Sequence, residues 1–206
     1  MIRIVLIRHC ETNWNKEKRY LGKTDIPLNE KGIRDAEILG KFLMDKNFEE
    51  IYSSELSRAY NTAKIIAEFN KFNNSVKKIK EFNEIDFGDF EGLTFEEVKE
   101  KFGEEIVNKY LNDTLNFKFP NGESFRKLYR RTTKGLNFIL DKHEHDNDCN
   151  ILIVSHSGVN RIIIGNALKI SFKKSIWRIK QDIGCVNVID FFKNFAVVEL
   201  INGKFI

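Results

Sequence analysis

Ile2-Arg3-Ile4-Val5-Leu6-Ile7-Arg8-His9 and Asn150-Ile151-Leu152-Ile153-Val154-Ser155-His156 are two short apolar runs that each end in histidine. Nearly continuous aliphatic runs of this length predict strands covered on both faces. Between them the spacing turns helical. Ile33, Ala36, Leu39, Phe42 and Leu43 follow the cap residue Asn29 and predict a helix to about Lys46. Glu50–Ser53 reads as a short strand. Ser53 or Ser54 is the expected cap of a helix from about Glu55 to Phe69. A short strand is expected near Val76–Ile79, and Glu84–Gly92 reads as a loop.

The second half repeats the alternation. Thr94-Phe95-Glu96-Glu97 is a capping box that opens a charged helix. Asn121-Gly122 marks a turn before a helix from Glu123 to about Lys142, which ends in the polar tract His143–Asn150. Val159–Leu168 reads as a helix. Cys185–Phe192 and Phe195–Ile201 read as a hairpin turning at Lys193-Asn194. The expectation is an α/β fold: a three-layer α/β/α sandwich with a mostly parallel central sheet and an antiparallel edge. No repeat or linker divides the chain, so residues 1–206 are read as one domain.

Composition narrows the function classes. With 42% hydrophobic and 31% charged residues, and eighteen Phe, the chain can bury a core without disulfides or metal. The formal charge is +4, with basic and acidic residues interleaved, which argues against a nucleic-acid-binding stripe. The first residues lack a signal-peptide pattern, and no segment reaches the roughly 20 apolar residues of a membrane span. The three cysteines, Cys10, Cys149 and Cys185, match neither a zinc site nor a secreted disulfide framework. A soluble, cytoplasmic protein with no membrane and no nucleic-acid partner is expected. The Phe content suits a core or a homodimer face equally.

In open parallel sheets, ligands bind beyond the carboxyl ends of the strands. If both apolar runs are central, His9 and His156 emerge at one edge and can meet. Arg58 falls in the first turn of its helix, where a cation opposes the helix dipole and an anion is favoured. Arg8, His9, Arg58 and His156 together suit a phosphoryl group. Guanidinium forks match phosphate oxygens, and a neutral imidazole can attack phosphorus. The guanidiniums are expected to lower the pKa of His9.

These residues lie in motifs that resemble the histidine phosphatase, or phosphoglycerate mutase-like, superfamily. Arg8-His9-Cys10-Glu11-Thr12 is similar to its Arg-His-Gly-Glu-Thr motif. Asp25-Ile26-Pro27-Leu28 leads a second segment, and Ser53-Ser54-Glu55-Leu56-Ser57-Arg58-Ala59 a third. Glu84-Ile85-Asp86-Phe87-Gly88-Asp89-Phe90-Glu91-Gly92 resembles the acid loop, and Ser155-His156-Ser157-Gly158 the second histidine motif. The resemblance implies His9 as nucleophile and Arg8, Arg58 and His156 as the phosphate pocket. Asn15, Thr24 and Ser157 are further phosphate or substrate contacts. Glu84 is the proton donor and then the base, although the residues alone do not separate it from Asp86, Asp89 and Glu91. No metal and no cofactor are implied, and the segment around 92–122 is an insertion covering the substrate.

Two positions depart from the family. Cys10 stands where glycine is usual, as a small buried filler or, beside two cations, a reactive thiolate. Ser157 replaces the commoner glycine. The acid loop lacks the cationic residues of the cofactor-dependent mutases, so a phosphatase is favoured over a phosphoglycerate mutase. Phe119-Pro120-Asn121-Gly122-Glu123-Ser124 resembles the α-ribazole phosphatase and broad-specificity branch. α-Ribazole 5′-phosphate, phosphoserine or a sugar phosphate are the substrates this suggests. Arg130-Arg131 reads as a helix surface pair in preference to a substrate contact. A catalytically silent phosphate-ligand binder is the reading from another class.

Overall fold

The computed structural model describes residues 1–144 and 148–206. In chain order the elements are β1 (Ile2–Arg8), α1 (Asn13–Lys16), α2 (Glu30–Leu43), β2 (Glu50–Ser53), α3 (Ser57–Phe69) and β3 (Lys77–Lys78). They continue with α4 (Phe95–Asn112), α5 (Phe125–Lys142), β4 (Cys149–Ser155), α6 (Ser157–Ala167), α7 (Phe172–Arg178), β5 (Val186–Phe191) and β6 (Ala196–Gly203). The sheet order is β3-β2-β4-β1-β5-β6. Strands β3, β2, β4 and β1 are mutually parallel, and β5 runs antiparallel to β1 and β6. The expected antiparallel hairpin therefore forms the sheet's far side.

Alternation along the two apolar runs creates two cores. Ile2, Ile4 and Leu6 of β1, with Ile151 and Ile153 of β4, face α5 and α6. Val5 and Ile7, with Leu152 and Val154, face Leu39 of α2 and Ala63 and Ile66 of α3. Burial on both faces explains why these strands carry no polar alternation. The register pairs Arg8 with Ser155, so both chain segments leave the sheet at one level.

Helix starts follow the sequence in most places. Asn29 accepts from Gly32 N–H at 2.8 Å, and Thr94 and Glu97 form the capping box. The cap expected at Ser53 or Ser54 does not form. The N-cap of α3 is Leu56, and Asp25 arrives from a distant loop to accept from Ser57 N–H at 2.8 Å. Helix α7 has no counterpart among the sequence expectations. Helix α4 is broken at Gly103, whose φ is 82°. The polar tract expected at 143–150 lies partly outside the described residues. Its first residue, His143, is buried, with Nε2 at 3.3 Å from Tyr52 Oη.

Candidate active site

Three adjacent parallel strands deliver the site. His9 follows β1, His156 follows β4, and Ser53-Ser54 close β2 and lead to Arg58 in the first turn of α3. The two imidazole rings lie 5.0 Å apart between centroids. His9, Arg58 and His156 are almost wholly buried. Glu84 is 8% exposed.

The hydrogen bonds define what each group offers. His9 Nδ1 lies 2.7 Å from the Cys10 carbonyl oxygen, which can only accept. The proton is therefore assigned to Nδ1, and Nε2 carries the lone pair. His156 Nε2 lies 2.7 Å from Ser54 Oγ. With the serine hydroxyl donating to Nε2, Nδ1 carries the His156 proton. Arg58 donates from Nη1 to the Thr24 carbonyl at 2.9 Å and from Nη2 to the Gly22 carbonyl at 2.6 Å. Arg8 donates from Nη1 to the Gln181 carbonyl at 2.7 Å. Among the described residues, the buried side-chain nitrogens without a partner are Arg8 Nε, Arg58 Nε and His156 Nδ1. All three belong to this cluster. Buried donors normally find acceptors, so three unpaired ones in one cluster suit an anion.

Burial sets the charge state. Both histidines titrate well below the usual imidazole range, chiefly because burial penalises the cation and then because Arg58 is near. The sequence reading named the arginines as the cause for His9; desolvation outweighs them. Burial also lowers Arg58, to about 10, which leaves it charged at neutral pH. Neutral imidazole beside fixed guanidinium charge is the state a phosphorus nucleophile needs.

A cavity of about 480 Å³ adjoins the cluster, lined among others by Arg8, Asn15, Glu84, Phe87, Phe95 and Ser157. Asn15 lines the cavity, and its Oδ1 accepts from Thr12 N–H and from the Thr12 hydroxyl. Thr24 is not on this wall. Its carbonyl receives Arg58, and its N–H and hydroxyl donate to Glu91. The four acids of the loop separate by contact. Asp86 accepts from Gly88 N–H, Asp89 from Asn121, and Glu91 from Lys23, Thr24 and Phe87 N–H. Of the four, Glu84 alone lines the cavity. Its Oε2 accepts from Gly158 N–H at 3.1 Å, at the start of α6.

Residues 4–204 match the family described as the histidine phosphatase superfamily, branch 1. The chain belongs to the histidine phosphatase superfamily. It is a phosphomonoester hydrolase of that type. The phosphatase is 31% identical over 204 residues to the adenosylcobalamin/alpha-ribazole phosphatase of Salmonella typhimurium, covering 98% of this chain and 97% of that protein. It is also 31% identical to phosphoserine phosphatase 1 of Hydrogenobacter thermophilus, covering 98% and 92%. Among solved structures, the alpha-ribazole phosphatase of Shigella flexneri superposes with a TM-score of 0.88 at 32% identity, covering 98% and 96%. Among the described residues, no helix of the phosphatase is long and apolar enough to cross a membrane.

Burial decides the reading of Cys10 in favour of the filler and changes that of Arg131. Cys10 is fully buried, and burial pushes its thiol up to about 12, so it is a packed filler and not a thiolate. Arg131 is not a surface residue like the exposed Arg130; it is committed to five hydrogen bonds under the acid loop. Sequence reading missed it because three of its five acceptor atoms are backbone carbonyls of a loop far away in the chain.

Proposed function

We propose that the chain hydrolyses a small-molecule phosphomonoester without a metal ion, through a phosphohistidine on His9. The observation that carries this reading is the neutral His9 Nε2 set among the three unpaired donors of Arg8, Arg58 and His156. In the first step Nε2 forms a bond to phosphorus while the bond from phosphorus to the leaving oxygen breaks. Glu84 supplies the proton that the departing alkoxide takes. In the second step Glu84, now a carboxylate, removes a proton from water. The water oxygen bonds to phosphorus, and the electron pair of the N–P bond returns to Nε2. Arg8, Arg58 and His156 hold the equatorial oxygens throughout, with Asn15 and Ser157 beside them. Fixed side-chain cations supply the charge that a metal would otherwise provide.

The substrate we favour is α-ribazole 5′-phosphate, on the strength of the relatives named for it, with phosphoserine or a sugar phosphate as the variants to compare. Phe87 of the acid loop and Phe95 of α4 give the cavity apolar walls that suit a ring. In this reading residues 1–206 act as one domain, with the segment 92–122 over the substrate. The same reading keeps the protein in the cytoplasm and allows a homodimer, which sedimentation velocity tests.

The decisive assay is p-nitrophenyl phosphate hydrolysis in excess EDTA, wild type beside His9→Ala. Turnover that survives chelation and vanishes in the variant supports the mechanism, as does acid-labile, base-stable phosphate trapped on His9. Loss of activity with EDTA would overturn metal independence. A wild type that binds phosphate yet turns over no monoester would favour the silent binder.

A further inference from the structure

Glu84 stands in a stretch with neither helix nor strand, between the short 3₁₀ turns Lys80–Phe82 and Gly88–Phe90. Backbone groups in such a stretch have no ladder to pair with, so something else must hold them. Arg131 does so. Its Nη1 donates to the carbonyls of Glu81, at 2.9 Å, and Asn83. Its Nη2 donates to the Glu84 carbonyl at 2.9 Å. Nε and Nη2 also donate to the two carboxylate oxygens of Glu123, each at 2.9 Å. All five N–H groups of the guanidinium are thereby used, which is the full capacity of the side chain. Glu123 extends the grip to the other flank of Glu84: its N–H donates to the Asp86 carbonyl at 2.8 Å, and its Oε2 accepts from Asp86 N–H at 3.4 Å.

We propose that Arg131 is a positioning residue for Glu84, and that the pair of buried Glu123 and half-buried Arg131 fixes the acid against the leaving oxygen of the substrate. This rests on the reading of Glu84 as proton donor. The guanidinium is not among the groups lining the cavity, so it acts through the loop and not on the substrate. Carbonyls 81, 83 and 84 are pinned by one rigid plane, while the Glu84 carboxylate accepts from Gly158 N–H. A lysine here keeps the charge beside Glu123 but has three donors on a flexible stem and cannot reproduce the fork.

The test exploits leaving-group basicity. Nitrophenolate departs without help, whereas a glycerol alkoxide needs the proton from Glu84. The full-length protein is assayed as wild type, Arg131→Lys, Glu84→Gln and the double variant Arg131→Lys/Glu84→Gln. Values of kcat/KM are compared for p-nitrophenyl phosphate and β-glycerol phosphate. Arg131→Lys is expected to lose about tenfold or more on glycerol phosphate and about twofold or less on the nitrophenyl ester. Adding it to Glu84→Gln is expected to change glycerol phosphate turnover no further, because one act cannot be lost twice. Should the lysine variant unfold, Arg131→Met/Glu123→Gln removes both charges, leaves no unpaired carboxylate at buried position 123, and carries the same expectation. Equal losses on the two substrates, or additive losses in the double variant, overturn the proposal while Glu84 keeps its role. If Glu84→Gln itself shows no preference between the substrates, the acid role falls and the proposal falls with it.

Discussion

Gly158 offers the sharpest test of where the Glu84 carboxylate must sit. A Cβ added there would lie 2.5 Å from Glu84 Oε1 and 3.2 Å from Leu128 Cδ2. Real Cβ atoms essentially never come within 3.0 Å of such a neighbour, so in Gly158→Ala the carboxylate must retreat by about half an ångström. A misplacement of about 1 Å can cost about a hundredfold in rate, so half that distance costs about tenfold, or about 1.4 kcal/mol. The 3.1 Å bond from Gly158 N–H bends at the same time and adds to the loss. Stability should move the other way. Alanine is better than glycine by up to about 1 kcal/mol in a helix, less at the second position of α6 where Gly158 sits, and the contact with Leu128 offsets part of that gain. The expected variant is therefore folded, melts within a few degrees of wild type, and hydrolyses an alkyl phosphate about ten to a hundred times more slowly. Steady-state kinetics on β-glycerol phosphate, paired with a thermal melt, reads both quantities. Unchanged alkyl phosphate turnover would refute the placement of Glu84 at the leaving oxygen.

His9 and His156 of the candidate site are both held neutral by burial, so their native pKa values lie below the unfolded value of about 6.5. The unfolded chain therefore binds more protons as pH falls, and stability present above about pH 6.5 is lost below it. The urea midpoint should therefore fall as the pH drops from about 7.5 to about 5.5, and His9→Asn/His156→Asn should flatten that slope. Gly88 has φ of 55°, and a Cβ there would collide with the Pro120 carbonyl oxygen. Gly88→Ala should lower stability by about 2–4 kcal/mol in denaturant melts, and a loss under about 0.5 kcal/mol would contradict the fit of the two loops. Cys10, buried with its thiol pushed up to about 12, should resist iodoacetamide at about pH 8 in the native protein and react once unfolded, as peptide mass mapping can show.

What could be read from the sequence was local or periodic. β1 and β4 announce themselves because both their faces are covered, and the capping box at Thr94 is complete within four residues. His9, Arg58, Glu84 and His156 could be named from motifs, and the shared strand ends explain why the histidines meet. What stayed hidden depends on partners remote in sequence. Ser54 looks like a helix cap, but its hydroxyl is taken by His156, and Asp25 does the capping. The acceptors of Arg131 are mostly carbonyls of another loop, and carbonyls carry no sequence signal. Helix α7 is seven residues with two lysines and a serine, too short for periodicity to show.

The pairing of Arg8 with Ser155 across two neighbouring strands has a kinetic consequence. His9 and its neighbour His156 are separated by 147 residues of chain. In the proposed mechanism no active centre exists until that long loop closes, and closing distant segments is the slow part of folding. A chain lacking β4 would carry His9 without His156 beside it. Return of catalysis during refolding is thus a clock for completion of the central sheet.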